Sequence, residues 1–182
     1  MGSNTAEWVI RNFKGAFGKD IVYVCGNPVV NHKLRNRLNQ PTLFYHIENV
    51  WDYGWNKELG MVDPEAMIEK TQELKKQYPK KKFIIHFLQP HHPYLFEDNE
   101  KEVSPLTISS SKDKEIAKKA YKKTSKLVLD KLQKLTDEFN NEKTIITADH
   151  GECFGEYKIY GHPFGVYTPK LVEVPWFEVK KK

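Results

Sequence analysis

Apolar positions in this chain fall into short runs separated by charged or turn-forming stretches, together with two longer segments of helical period. Residues 20–25 and 43–47 are compact apolar runs, the first closed by Gly26-Asn27-Pro28, and each predicts a strand. An aromatic loop follows, Trp51-Asp52-Tyr53-Gly54-Trp55. Asp63 then stands as an N-cap with Pro64 at the first helical position, which predicts a helix to about Tyr78 with Met67, Ile68 and Leu74 on its inner side. Residues 82–88 are almost continuously apolar between charge and proline and predict a buried, central strand. Ile116, Ala120, Leu127, Leu135 and Phe139 mark one face of a long helix predicted between residues 112 and 140. Residues 144–148 predict a further buried strand that runs directly into Asp149-His150-Gly151-Glu152. Residues 172–179 predict a last strand, interrupted or held at a sheet edge by Pro175. Residues 97–111 are the low-apolar stretch long enough for a mobile loop.

Strands alternating with helices predict an α/β fold, a three-layer α/β/α sandwich around a mostly parallel sheet. A chain of 182 residues, 39% hydrophobic and 13% aromatic, is long enough for one core and short for two, so residues 1–182 are expected to form a single domain. Polar loops leave the carboxyl ends of two apolar runs, at residues 89–94 and 149–162, and in open α/β sheets that is the side on which ligands bind.

The net charge of +5 does not alter this picture. Nine lysines lie between Lys112 and Lys134, against Asp113, Glu115 and Asp130, with no arginine and little aromatic interleaving. That pattern is a solvated helix face, and no nucleic-acid partner is expected. No window approaches the run of about 18 apolar residues that spans a bilayer, so no membrane segment is expected and the location is read as cytoplasmic. Cys25 and Cys153 are too few for a disulfide framework and lack metal-site spacing, and both are read as free thiols.

The candidate chemistry lies in two clusters. Asp149 and His150 pair a hard carboxylate with a borderline imidazole at a strand end, and His162 returns ten residues after Glu152 in Tyr160-Gly161-His162-Pro163. Asp149, His150 and His162 are therefore candidate ligands of a divalent metal, zinc or manganese, with calcium or magnesium as weaker fits. Gly151 is read as the hinge that lets both side chains converge. A capping carboxylate beside a surface histidine is the plainer alternative. The second cluster is Gln89-Pro90-His91-His92-Pro93-Tyr94, where prolines restrict the backbone around two histidines suited to clamping an anion or moving a proton. Its plainer alternative is a surface turn plugged by Tyr94.

Thr147-Ala148-Asp149-His150-Gly151-Glu152-Cys153-Phe154-Gly155-Glu156, followed by Tyr160-Gly161-His162-Pro163 and Val174-Pro175-Trp176, resembles the carboxyl-terminal signature of the alkaline phosphatase and sulfatase superfamily. The resemblance runs through most of the chain from Asp20 onward. It implies an alkaline-phosphatase-like fold, metal binding by Asp149, His150 and His162, and a sulfatase-like or phosphatase-like hydrolase. It also sets His91 against a substrate oxyanion, with His92 beside it at the substrate. Gly2-Ser3-Asn4-Thr5-Ala6-Glu7-Trp8 resembles the family's nucleophile segment, including the Glu-aromatic pair of lipoteichoic-acid-synthase-like members, and this makes Ser3 and Thr5 candidate nucleophiles. The family's first strand and its acidic metal ligand have no counterpart ahead of this segment, so the domain is expected to be incomplete at its amino terminus. The reaction implied is hydrolysis of a small-molecule or polymeric phosphate or sulfate ester. A truncated or degenerate member that binds metal or anions without turnover is the alternative, and an exposed sheet edge would invite a homo-oligomer.

Overall fold

The computed structural model describes residues 2–13, 16–30, 43–139 and 142–180. Asn140, Lys181 and Lys182 lie outside them. The contacts divide the chain into two units, one made of Met1–Glu7 with Gln89–Lys182 and the other of Trp8–Leu88. This division leaves the expectation of a single domain as it stands.

In the unit Trp8–Leu88, β1 (Ile21–Cys25) lies between β2 (His46–Asn49) and β5 (Lys82–His86), and both pairings are parallel. Successive β1 side chains point to opposite faces. Val22 and Val24 pack with Met67 and Leu74 of α2 (Pro64–Gln77) and with Val50 and Val62, all buried. Tyr23 turns the other way. Its ring lies 4.5 Å from Phe44, which lies 5.0 Å from Phe13 in α1 (Thr5–Phe13). Helix, sheet and helix therefore stack as three layers, as the alternating pattern predicts. Two short strands, β3 (Trp55–Asn56) and β4 (Met61–Val62), form a hairpin ahead of α2. The Asp63 cap is present, with its carboxylate accepting the Glu65 amide at 2.9 Å.

Two sequence expectations are corrected here. The strand placed at residues 43–47 begins instead at His46, because Leu43 and Phe44 are buried as plugs against the sheet rather than paired in it. Within this sheet β1 is central, and β5, which had been expected at the centre, flanks it.

In the unit Met1–Glu7 with Gln89–Lys182, the long helix α3 (Ser111–Glu138) is capped by Ser110, whose hydroxyl accepts the Asp113 amide at 3.1 Å. Its Ala117 and Ala120 pack on Tyr94, Val103 and Phe154. The lysine face behaves as a solvated face: Lys114 and Lys118 pair with Glu156, Lys119 with Glu100, Lys123 with Glu97 and Lys126 with Asp130. Residues 97–111, expected as a mobile loop, are tied down by fully buried Val103, a capping box between Ser104 and Thr107, and Ser109 on Asp113. The strand before Asp149 is β6 (Ile145–Thr147). It is half-buried and pairs antiparallel with β9 (Trp176–Glu178), where a buried strand had been expected. The segment expected as one strand over residues 172–179 divides into a short helix, α4 (Pro169–Val172), and β9, with Pro175 between them. Among the described residues no helix is long and apolar enough to cross a membrane.

Candidate active site

The site is built in the unit that joins Met1–Glu7 to Gln89–Lys182. Just beyond β6 the backbone is clamped: the Thr147 hydroxyl donates to the Pro175 carbonyl at 2.7 Å and the Gly151 amide to the Leu171 carbonyl at 2.8 Å. Asp149 and His150 project from the turn between these two anchors. The His150 amide donates to Asp149 Oδ1 at 3.1 Å, which orients the carboxylate and leaves Oδ2 to face Thr5. The Thr5 hydroxyl, in the first turn of α1, donates to that Oδ2 at 2.6 Å and lies 3.4 Å from His150 Nε2.

The His150 tautomer follows from its other contact. Nδ1 lies 2.8 Å from the Gly151 carbonyl, which can only accept, so Nδ1 is a donor and, in the neutral tautomer, Nε2 is the nitrogen with the lone pair. That lone pair is 3.6 Å from Asp149 Oδ2. A carboxylate oxygen, an imidazole nitrogen with its outer N–H fixed by a carbonyl, and a hydroxyl thus face one point. This donor set and outer contact suit a divalent cation such as zinc or manganese. Among the described residues no group of three or more His, Cys, Asp or Glu side chains is arranged to hold a metal ion, and the third polar atom at this point is the Thr5 hydroxyl.

His162 returns to the cluster through a small hairpin, β7 (Cys153–Phe154) against β8 (Tyr160–Gly161), with Cys153 opposite Gly161. This register sets His162 beside Glu152, whose two carboxylate oxygens each lie 3.1 Å from Nδ1. Burial works to lower the His162 pKa, but the nearly buried Glu152 carboxylate outweighs it and raises the pKa above the ordinary histidine value. The ring stacks on His150 with centroids 4.4 Å apart, and the His91 ring lies 5.2 Å from it. Three histidines, 91, 162 and 150, therefore form a continuous row that ends at Asp149 and Thr5.

His91 has an exposed face, yet enough protein surrounds its ring that desolvation lowers its pKa. The neighbouring His162 and His150 act in the same direction, and the His92 carbonyl and Glu152 act against it. Its Nδ1 contacts the His92 carbonyl at 2.5 Å. His92 turns its ring toward Tyr94, with centroids 5.4 Å apart, and has no ring contact in the histidine row.

The two candidate nucleophiles occupy different positions. Ser3 is fully buried, and its hydroxyl donates to Glu7 Oε2 at 2.7 Å and reaches the Pro163 carbonyl at 2.9 Å. Thr5 is the one directed at Asp149 and His150. Sequence reasoning did not single out Glu152 or Glu7. Glu152 was visible as the carboxylate three residues after Asp149 in the same motif. Glu7 was visible at the third helical position after Asn4, whose Oδ1 accepts its amide at 3.0 Å, which is the spacing of a helix cap. Burial works to raise the Glu7 pKa, but hydrogen bonds from the Tyr167 hydroxyl, from the Ser3 hydroxyl and amide, and from the Gly165 backbone hold it down at about 2.

Residues 11–178 match the model of the family described as Sulfatase. A low-salt glycan biosynthesis sulfotransferase, Agl7, of Haloferax volcanii is 29% identical over 157 residues, which take in 77% of this chain and 39% of that protein. The chain thus spans less than half the length of the curated relative it matches. No solved structure matches the chain.

Proposed function

The chain belongs to the sulfatase family, and on that premise we propose that it is a metal-dependent hydrolase of sulfate or phosphate esters in which Thr5 is the nucleophile. Its α/β fold is alkaline-phosphatase-like, and members of the family are generally metal-dependent. The observation that carries the proposal is the convergence of the Thr5 hydroxyl on Asp149 Oδ2 at 2.6 Å and on His150 Nε2 at 3.4 Å. In this reading Asp149, His150 and Thr5 hold a zinc or manganese ion. When bound, that ion supplies positive charge that favours the alkoxide form of the hydroxyl and offsets charge on the ester oxygens.

The residues of the chain then have distinct tasks. Asp149 Oδ2 orients the Thr5 hydroxyl, whose proton passes to solvent as Oγ1 attacks sulfur or phosphorus. A bond forms from Oγ1 to that atom, and the bond to the leaving oxygen breaks. His162, whose pKa the Glu152 carboxylate raises, gives its Nε2 proton to the leaving oxygen while Glu152 holds Nδ1. Neutral His162 next deprotonates a water that attacks the esterified threonine, and Oγ1 leaves and recovers a proton from solvent. One ester and one water become one alcohol and one sulfate or phosphate. His91 stands at the far end of the row and faces the non-bridging oxygens, and His92, expected beside it at the substrate, turns its ring to Tyr94 instead.

The test is turnover of 4-nitrophenyl sulfate, 4-nitrophenyl phosphate and bis(4-nitrophenyl) phosphate with manganese or zinc. Thr5→Ala is expected to lower the rate by about a thousandfold or more, because no other group supplies the attacking oxygen. Ser3→Ala is expected to lower it by no more than about tenfold. Full turnover by Thr5→Ala would sink the nucleophile assignment. Metal binding by the wild-type chain without turnover of any ester would replace the hydrolase reading with that of a binding protein.

A further inference from the structure

We infer that Glu7 is a positioning residue, whose carboxylate ties the first turn of α1, and with it the Thr5 hydroxyl, to the loop that follows His162. The inference rests on the reading of Thr5 as nucleophile for its catalytic consequence, and on hydrogen bonds alone for the tie itself.

The two oxygens of Glu7 serve different parts of the chain. Oε2 accepts the Ser3 amide at 2.9 Å and the Ser3 hydroxyl at 2.7 Å, which is a local contact four residues back. It extends the usual helix-capping arrangement by one residue, because Asn4 already satisfies the Glu7 amide. Oε1 accepts the hydroxyl of Tyr167, 160 residues away. The Ser3 hydroxyl lies 2.9 Å from the carbonyl of Pro163, also 160 residues away, and the Gly165 backbone bonds the Glu7 carboxylate. Residues 163, 165 and 167 thus meet Glu7 and Ser3 at three points.

Capping a helix needs one short polar side chain at the surface. Here the carboxylate is 4% exposed and Ser3 is 0% exposed, so a charge is buried where a cap alone would not require it. Gly165 shows the loop shaped to the task. Its φ is 77°, in the left-handed region, and a Cβ there would meet nothing within 4 Å, so backbone conformation rather than space calls for glycine. Thr5 lies two residues before Glu7 on the same helical turn, and His162 immediately precedes the loop. One strut therefore sets both the attacking oxygen and the histidine assigned to the leaving group, and catalysis responds to displacements of about 1 Å.

Tyr167 allows a mild test, because it is half exposed and Tyr167→Phe removes one hydroxyl without emptying a core position. The full chain carrying Tyr167→Phe, Glu7→Gln or both would be assayed with manganese on whichever nitrophenyl ester the wild type turns over, with amide hydrogen exchange followed in parallel. Each single change is expected to lower kcat by roughly 3- to 30-fold with KM within about twofold, and the double variant is expected to be no slower than Glu7→Gln alone, since the Tyr167 effect passes through Glu7. Exchange at residues 3–7 and 163–167 is expected to quicken together in Tyr167→Phe. Unchanged kcat, or losses that multiply in the double variant, would overturn the positioning role. Faster exchange confined to 163–167 would overturn the tie itself, and that readout stands even if the wild type turns over no ester. Retained turnover in Thr5→Ala would instead remove the nucleophile reading and leave the tie to be judged by exchange.

Discussion

Replacing Gly151 by alanine tests whether the turn carrying Asp149 and His150 is clamped as tightly as its hydrogen bonds indicate. A Cβ at this position would lie 2.0 Å from the Lys170 carbonyl oxygen and 3.1 Å from its carbon. An ordinary carbon–oxygen contact is about 3.4 Å, so one of the two backbones must retreat by about 1.4 Å. Neither does so freely. Leu171, the next residue, is fully buried, and its carbonyl holds the Gly151 amide at 2.8 Å. Over-packing of this kind costs roughly 1–3 kcal/mol, and weakening the amide bond adds about 1 kcal/mol. A total near 3 kcal/mol corresponds, at about 2–4 °C per kcal/mol for a chain of this size, to a fall in Tm of roughly 6–12 °C. Because His150 is the adjacent residue, the same shift moves Nε2 away from Thr5, and turnover is expected to fall by about a hundredfold. Calorimetry of Gly151→Ala beside Gly165→Ala gives the measurement. At Gly165 there is open space, and alanine meets only the left-handed backbone penalty of about 1–2 kcal/mol. A Tm for Gly151→Ala within 2 °C of wild type, or a larger loss at Gly165, would refute the close-approach argument.

Two further outcomes follow from the charged groups. The His91 pKa is lowered and its Nδ1 is engaged by the His92 carbonyl, so only a protonated ring offers a second N–H to an anion. Vanadate or sulfate affinity should therefore rise as pH falls through the histidine range with uptake of a proton, measurable by titration calorimetry in buffers of different ionisation enthalpy. His91→Ala should remove that dependence while changing Tm by no more than about 2 °C. Glu156 supplies the second test. Burial works to raise its pKa, but the Phe154 amide, its own amide, Lys118 and Lys114 hold it down at about 2, against 4.5 for a free glutamate. The unfolded chain binds the extra proton, so this stabilisation is complete above about pH 4.5 and is lost as pH falls toward 2. Glu156→Gln should flatten that part of an acid-unfolding curve, and an unchanged slope would count against the contact.

The apolar runs gave away the parallel strands of the sheet. Residues 21–25 form a strand buried along almost its whole length, and residues 82–86 form one that is only half-buried, with Phe83 and Ile85 packed against the core that Val22 and Val24 share with α2. The same rule failed at residues 43 and 44, since burial alone does not require pairing: Phe44 earns its place by stacking on Tyr23 and Phe13. It failed again for β6, because an apolar run carries no sign of strand direction, and the antiparallel partner Trp176–Glu178 lies beyond a proline and a short helix.

At the site, the legible residues were those whose chemistry shows in a few consecutive letters. Asp149 and His150 could be read as a pair because they adjoin each other on one turn, and His162 because a hairpin of fixed register returns it to Glu152. Gly151 was read as a hinge between two converging side chains, and the close approach of the Lys170 carbonyl, which leaves no room for a Cβ, had no sign in the sequence. The choice between Ser3 and Thr5 was not legible at all. Both are hydroxyls two residues apart at a helix start, and they are separated by partners about 150 residues downstream: Asp149 for Thr5, Pro163 for Ser3. Thr5 opens α1, whereas Ser3 lies in the bend ahead of it, so no helical spacing relates the two side chains. Each hydroxyl has a carboxylate partner, Glu7 for Ser3 at 2.7 Å and Asp149 for Thr5 at 2.6 Å, and only the second carboxylate adjoins His150.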